Sequence, residues 1–274
     1  MASDADKLKD AKKTWRYLRL AIVVMVVGLG VSVARELVRQ DGCLQPSISG
    51  YFHTPVRGFF VGTLVAVGVC LVSLRGNTGF EDVLLNLAGA FSMVVALVPT
   101  GAGDPPECGA VAAEQAAREH IDNNMVALLV VAGLALALVL YLILRHSDGT
   151  PFEMVGWSVA VVVYVVATVL FVAKDAWFDR NAHTGAATAM FVCIFAVVVV
   201  DAVDYRATPG SSARNRYAVV AGLMVLAAVV VGLARVLGKW HYAVFWIEAL
   251  MIGLFAVFWV IQTFELWNDG LRDT

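Results

Sequence analysis

Eight stretches of about twenty apolar residues decide what this chain can become, because ~30 Å of hydrocarbon demands a helix of that length. They run at about 17-38, 57-75, 81-100, 124-145, 154-173, 183-204, 216-237 and 241-266. Val and Ala crowd 154-173 and 183-204, yet runs this long without turn residues satisfy their backbone in lipid only as helices. With 60 % hydrophobic and 15 % charged residues, the chain cannot hide its apolar side chains in one soluble core. The fold expected is an all-α polytopic membrane helix bundle, one membrane domain over 1-274 with an amino-terminal tail at 1-14.

Basic residues set the orientation. Placing the amino terminus in the cytoplasm puts Lys7 to Arg19, Arg75, Arg145, Arg206, Arg214, Arg216 and Arg272 inside. An even number of spans then returns the carboxyl terminus to the same side. The charged start followed by more than twenty apolar residues, with no small-residue exit, reads as an uncleaved first span in a plasma (inner) membrane. A net charge of -2 with scattered basic residues sets nucleic acid aside and leaves membrane lipids as the expected partners.

Among four cysteines, Cys70 and Cys193 fall in apolar runs, where a thiol behaves as a small hydrophobe. Cys43 and Cys108 fall in two polar loops that the span count puts on the same outer side, so a disulfide between them is expected. The second of these loops, 101-123, reads as an extracytoplasmic segment whose piece Ala110 to His120 forms a short helix over the bundle.

Polar residues where spans meet water mark the candidate site. Ser49, Tyr51, His53 and Arg57 lead straight into an apolar run, and His183 and His241 stand at outer span ends. Ser49 and His53 share a face if the segment is helical, and His241 stands seven residues before Glu248, which lies two helical turns deeper on the same face. Glu248 lies among Phe245, Trp246, Ile247 and Leu250, and an ionisable group at such depth is presumed functional until a structural partner is found. The candidate partners for it are Arg57, Arg235 or a metal ion. The bland reading is a carboxyl and an arginine locking two helices. Asp201 and Asp204 read as a pair at the cytoplasmic interface, and Gly and Ala within the spans read as close-packing residues.

The pieces S-I-S-G-Y-F-H-T-P-V-R-G-F-F-V-G (47-62), N-L-A-G (86-89), A-L-V-P-T (96-100), H-T-G-A-A (183-187), R-N-R-Y (214-217) and F-W-I-E-A-L (245-250) resemble a family of uncharacterised bacterial multi-pass membrane proteins. That family is distantly similar to the six-helix FRAG1/DRAM and DUF998-type proteins. The likeness covers the first three and last three spans, making the fourth and fifth an insertion. It implies a cluster of Ser49, Tyr51, Arg57, His183 and Glu248 without assigning an activity. Ser49-x-x-x-His53 is also similar to the opening motif of CREST membrane hydrolases, such as the alkaline ceramidases, which hold zinc. Here, however, Asn86 stands where an acid is wanted, and the last span lacks a second histidine beside His241.

Three functions compete. The first is an outward-facing pocket formed by Ser49, Tyr51, His53, Arg57, His183, His241 and Glu248, binding a lipid or small amphiphile without catalysis or cofactor. The second is a zinc-dependent hydrolase of a lipid amide or ester, with His53, His183, His241 and Glu248 as metal ligands. The third is a proton-coupled transporter or channel built on Glu248, for which the other spans offer few intramembrane charges.

Overall fold

The computed structural model describes residues 4–101, 108, 117–145, 151–207, 215–238 and 240–267, and among them every regular element is helical. The order is α1 (Asp4–Arg39), a 3₁₀ turn (Ser49–His53), α2 (Arg57–Ser73), α3 (Gly79–Leu97), α4 (Ala117–Arg145), α5 (Pro151–Ala173), α6 (Asp175–Ala207), α7 (Arg216–Gly238) and α8 (Ala243–Glu265). Seven of these are long and apolar enough to cross a membrane, and α2 is a shorter apolar helix of 17 residues. The chain is an integral membrane protein. His146, Arg214 and most of the 110–120 segment lie outside the described residues.

Two boundaries differ from expectation. The described part of the tail 1-14 continues the helix of the first span: α1 runs unbroken from Asp4 and is about 54 Å long at 1.5 Å per residue. Likewise α4 begins at Ala117 rather than near 124, so His120 belongs to its first turns. Starts and stops follow local chemistry. Thr78 caps α3 by accepting the Glu81 N–H at 3.2 Å, with Glu81 and Asp82 in the first turn, where a helix N-terminus favours negative charge. Pro151 opens α5, where its missing N–H costs nothing. Beyond α1, Asp41 and Gly42 take positive φ and the Gly42 N–H returns to the Leu37 carbonyl at 2.9 Å, which stops the helix before Cys43.

Packing closes six helices into a ring: α1 meets α2, α2 meets α3, α3 meets α6, and then α6, α7, α8 and α1 follow in turn. Its centre is filled from every member by side chains such as Ile22, Leu71, Leu85, Val198, Met224 and Trp259. The α4–α5 hairpin lies outside the ring against α3 and α6, held by Val98, Ile121, Met125, Phe171 and Phe178. An ion pair at 2.5 Å from Arg118 on α4 to Asp179 on α6 reinforces it. Much of the hairpin's outer surface is exposed valine and leucine, as a lipid-facing layer requires.

Small residues set the closest approach. A Cβ on Gly68 would lie 2.9 Å from the Gly89 carbonyl, and one on Gly89 would lie 2.6 Å from the Gly68 carbonyl, so α2 and α3 touch backbone to backbone. Gly89→Leu is expected to lower stability by about 1–3 kcal/mol through overpacking. Gly253, which has nothing within 4 Å of the corresponding position, should accept alanine without loss. Thermal unfolding in detergent compares the two; equal midpoints would remove the close contact.

Candidate functional site

The loop between α1 and α2 is folded onto the start of α8. Cys43 and Cys108 form the expected disulfide, with Cα atoms 5.4 Å apart, and the Gln45 side-chain amide donates to the Cys108 carbonyl at 3.2 Å. The Phe245 N–H, one of the first-turn donors that a helix leaves unpaired, donates to the Pro46 carbonyl at 2.9 Å. Ser47 Oγ accepts from the Gly50 N–H at 2.8 Å, which tightens the turn into Ser49. Tyr51 is buried beside Phe245, their ring centroids 6.4 Å apart, and burial pushes its phenol above the ordinary tyrosine range.

This anchoring brings Ser49 to Glu248 across 199 positions of sequence. The Ser49 N–H donates to one carboxylate oxygen at 3.1 Å and its hydroxyl to the other at 3.3 Å. Glu248 does not lock two helices through an arginine. Arg235 is exposed, and Arg57, also exposed, lies over the Phe52 ring at 4.4 Å. Among the described residues Glu248 has no ion-pair partner.

Two histidines hold the end of α3. His183 is buried and its Nδ1 lies 2.6 Å from the Val98 carbonyl, while His53 Nε2 lies 2.6 Å from the Thr100 carbonyl. A carbonyl only accepts, so each of these nitrogens carries a proton. In neutral His183 the other nitrogen, Nε2, therefore offers only a lone pair, and it has no hydrogen-bond partner. Together the rings clamp the segment on both sides of Pro99.

Beneath the loop is a cavity of ≈ 480 Å³, the size of sites that take small molecules. Ser49, Thr100, His183 and Glu248 line its polar end, and Phe191, Phe195, Met224 and Met251 are among its apolar walls. Val192, Val225 and Val229 also line it while exposed on the outside of α6 and α7, so it opens sideways on the apolar surface. The structure thus gathers Ser49, His183 and Glu248, with His53 behind Thr100. Tyr51 supports the loop from behind, and Arg57 and His241 stand outside the lining. Among the described residues no three His, Cys, Asp or Glu side chains come together as a metal-ligand set.

A second polar assembly, at the end of the bundle where Arg16 meets Trp267, was not foreseen. Arg19, Glu81, Asp201 and Gln262, from α1, α3, α6 and α8, all have 0 % exposure. Arg19 donates to the Gln262 side-chain oxygen at 2.6 Å, and the Gln262 amide donates to Asp201 at 2.5 Å. Asn77 donates its side-chain amide to Asp201 at 3.3 Å and its backbone N–H to Glu81 at 2.7 Å. The Arg19 guanidinium is sandwiched between Trp15 and Trp259, at 4.1 and 4.6 Å from their ring centroids. Asp201 is therefore a buried junction rather than half of an interface pair with Asp204. Its visible sequence signals are Gln262 within an apolar run and the Thr78-x-x-Glu81 spacing of a capping box.

No family model, no curated protein and no solved structure matches this chain.

Proposed function

We propose that this protein binds a lipid or small amphiphile in the cavity between α6, α7 and α8, with its polar head under the Ser47–Ser49 loop and its tail toward Phe195 and Met224. The observation that carries the reading is one hollow with a carboxylate and hydroxyls at one end, apolar walls at the other, and a mouth on the lipid-facing side. An amphiphile satisfies both ends at once, and a lateral mouth admits it from the bilayer. A plasma (inner) membrane with the disulfide on the oxidising side accords with this arrangement.

Native mass spectrometry of the purified protein tests the reading. Wild type is expected to carry about one amphiphile per chain, and Ala228→Trp, which fills the apolar wall, should remove it. Glu248→Ala should weaken retention severalfold, whereas Arg57→Ala should leave it unchanged. Equal retention by wild type and Ala228→Trp would end the proposal.

A further inference from the structure

The chemistry of the cavity's polar end narrows the head group, an inference that rests on the amphiphile reading above. Glu248 supplies a carboxyl group whose oxygens accept from the Ser49 N–H and hydroxyl, with the neighbouring Ile48 N–H also directed at it. His183 has spent its Nδ1 proton on the Val98 carbonyl, and its Nε2 is enclosed, so the imidazole lines the wall without offering a donor to the hollow. The other polar side chains on the lining are hydroxyls of Ser47, Ser49, Thr100, Thr184 and Thr188; those of Ser49 and Thr188 already donate, to Glu248 and to the Thr184 carbonyl, and so offer lone pairs. Neither Lys nor Arg lines the cavity. Arg57, the residue the sequence put forward to grip a head group, is committed to the Phe52 ring outside it. A phosphate, sulfate or carboxylate head would therefore find no cation in the lining and would lie against the Glu248 oxygens, inside apolar walls where charge interactions are screened weakly.

From this juxtaposition of a carboxyl group without an ion-pair partner among the described residues, hydroxyls around it, and a laterally open apolar hollow with no Lys or Arg in its lining, we infer that the ligand is an amphiphile with a protonated amine as its head. The ammonium stands against Glu248, its remaining N–H groups reach the hydroxyls, and the chain runs out between α6 and α7. A primary ammonium of this kind occurs on single-chain amines and on the ethanolamine head of a phospholipid.

Photo-crosslinking in reconstituted vesicles distinguishes the possibilities, using twelve-carbon chains that carry a diazirine and end in a primary ammonium, a hydroxyl or a sulfate. The ammonium probe is expected to label peptides of α6 and α8 at least tenfold more than the hydroxyl probe at equal membrane concentration, with the sulfate lowest. Glu248→Gln should bring the ammonium probe down to the level of the hydroxyl probe measured on the same variant. Should Glu248→Gln fail to accumulate, Thr188→Lys serves instead: Thr188 is exposed on α6, and a cation there should reverse the preference toward sulfate. A diazirine-bearing phosphatidylethanolamine locates the source, since labelling equal to the alkylamine points to a bilayer lipid and labelling at the hydroxyl level to a single-chain amine. Equal labelling by ammonium and hydroxyl, or preference for sulfate, overturns the amine and leaves the amphiphile cavity standing. Absence of α6 and α8 labelling by every probe overturns both.

Discussion

Arg19→Ala is expected to cost about 3–5 kcal/mol, the usual consequence of removing one member of a buried charged assembly. The reason lies in what remains. Glu81 and Asp201 stay fully enclosed, Gln262 loses the donor on its carbonyl oxygen, and the facing rings of Trp15 and Trp259 are left with a gap. Lysine would not repair the loss, because an ammonium has neither the flat shape that fills the space between two indoles nor the fork that reaches Gln262. A triple substitution, Arg19→Met with Glu81→Gln and Asp201→Asn, removes the charges together and should recover most of the stability. Unfolding in mixed micelles with a rising fraction of denaturing detergent gives the comparison. Arg19→Ala within about 1 kcal/mol of wild type would show that water reaches the cluster, and the enclosed network would then be the wrong description.

The sequence revealed polar residues that are locally out of place and could not reveal those that look ordinary. Glu248 stands out inside an apolar run and Ser49 beside an odd cluster, so both were readable although 199 residues separate them. Arg19 follows five other basic residues at the chain's start and looks like one more of them. Its burial depends on indoles from α1 and α8 meeting in space, which no local spacing encodes. Phase was the other failure. Ser49 and His53 share a face at 3.6 residues per turn, but the segment is a 3₁₀ turn with three per turn, so Ser49 turns to Glu248 and His53 to Thr100. His241 precedes α8, whose first residue is Ala243, and its seven-residue distance from Glu248 is therefore not two helical turns. The closed order of α1, α2, α3, α6, α7 and α8, with α4 and α5 outside, rests on packing between distant spans. Their apolar patterns alone did not specify which pairs meet.

Removing the Cys43–Cys108 bridge should cost nearly as much as removing Arg19 and should act on the cavity as well as on the fold. The two cysteines are separated by 65 positions, and freeing a loop of that length returns about 4 kcal/mol of conformational entropy to the unfolded chain. In the folded chain, the bridge and the Gln45 bond to Cys108 hold the start of the segment that carries Ser47 and Ser49. The double variant Cys43→Ser, Cys108→Ser is therefore expected to unfold earlier and also to retain less amphiphile at temperatures where it remains folded. Gln45→Leu, which keeps the bridge but loses the bond to Cys108, should show a smaller drop in stability, about 1 kcal/mol. Reductant applied to wild type must reproduce the double variant and leave the double variant itself unchanged. The buried Cys70 and Cys193 are free thiols and offer no second bridge to confuse that comparison. If thiol labelling of the unfolded, unreduced protein counts four free cysteines, the bridge is absent; if it counts two but amphiphile retention survives reduction, the loop is held by Phe245–Pro46 and Ser49–Glu248 alone.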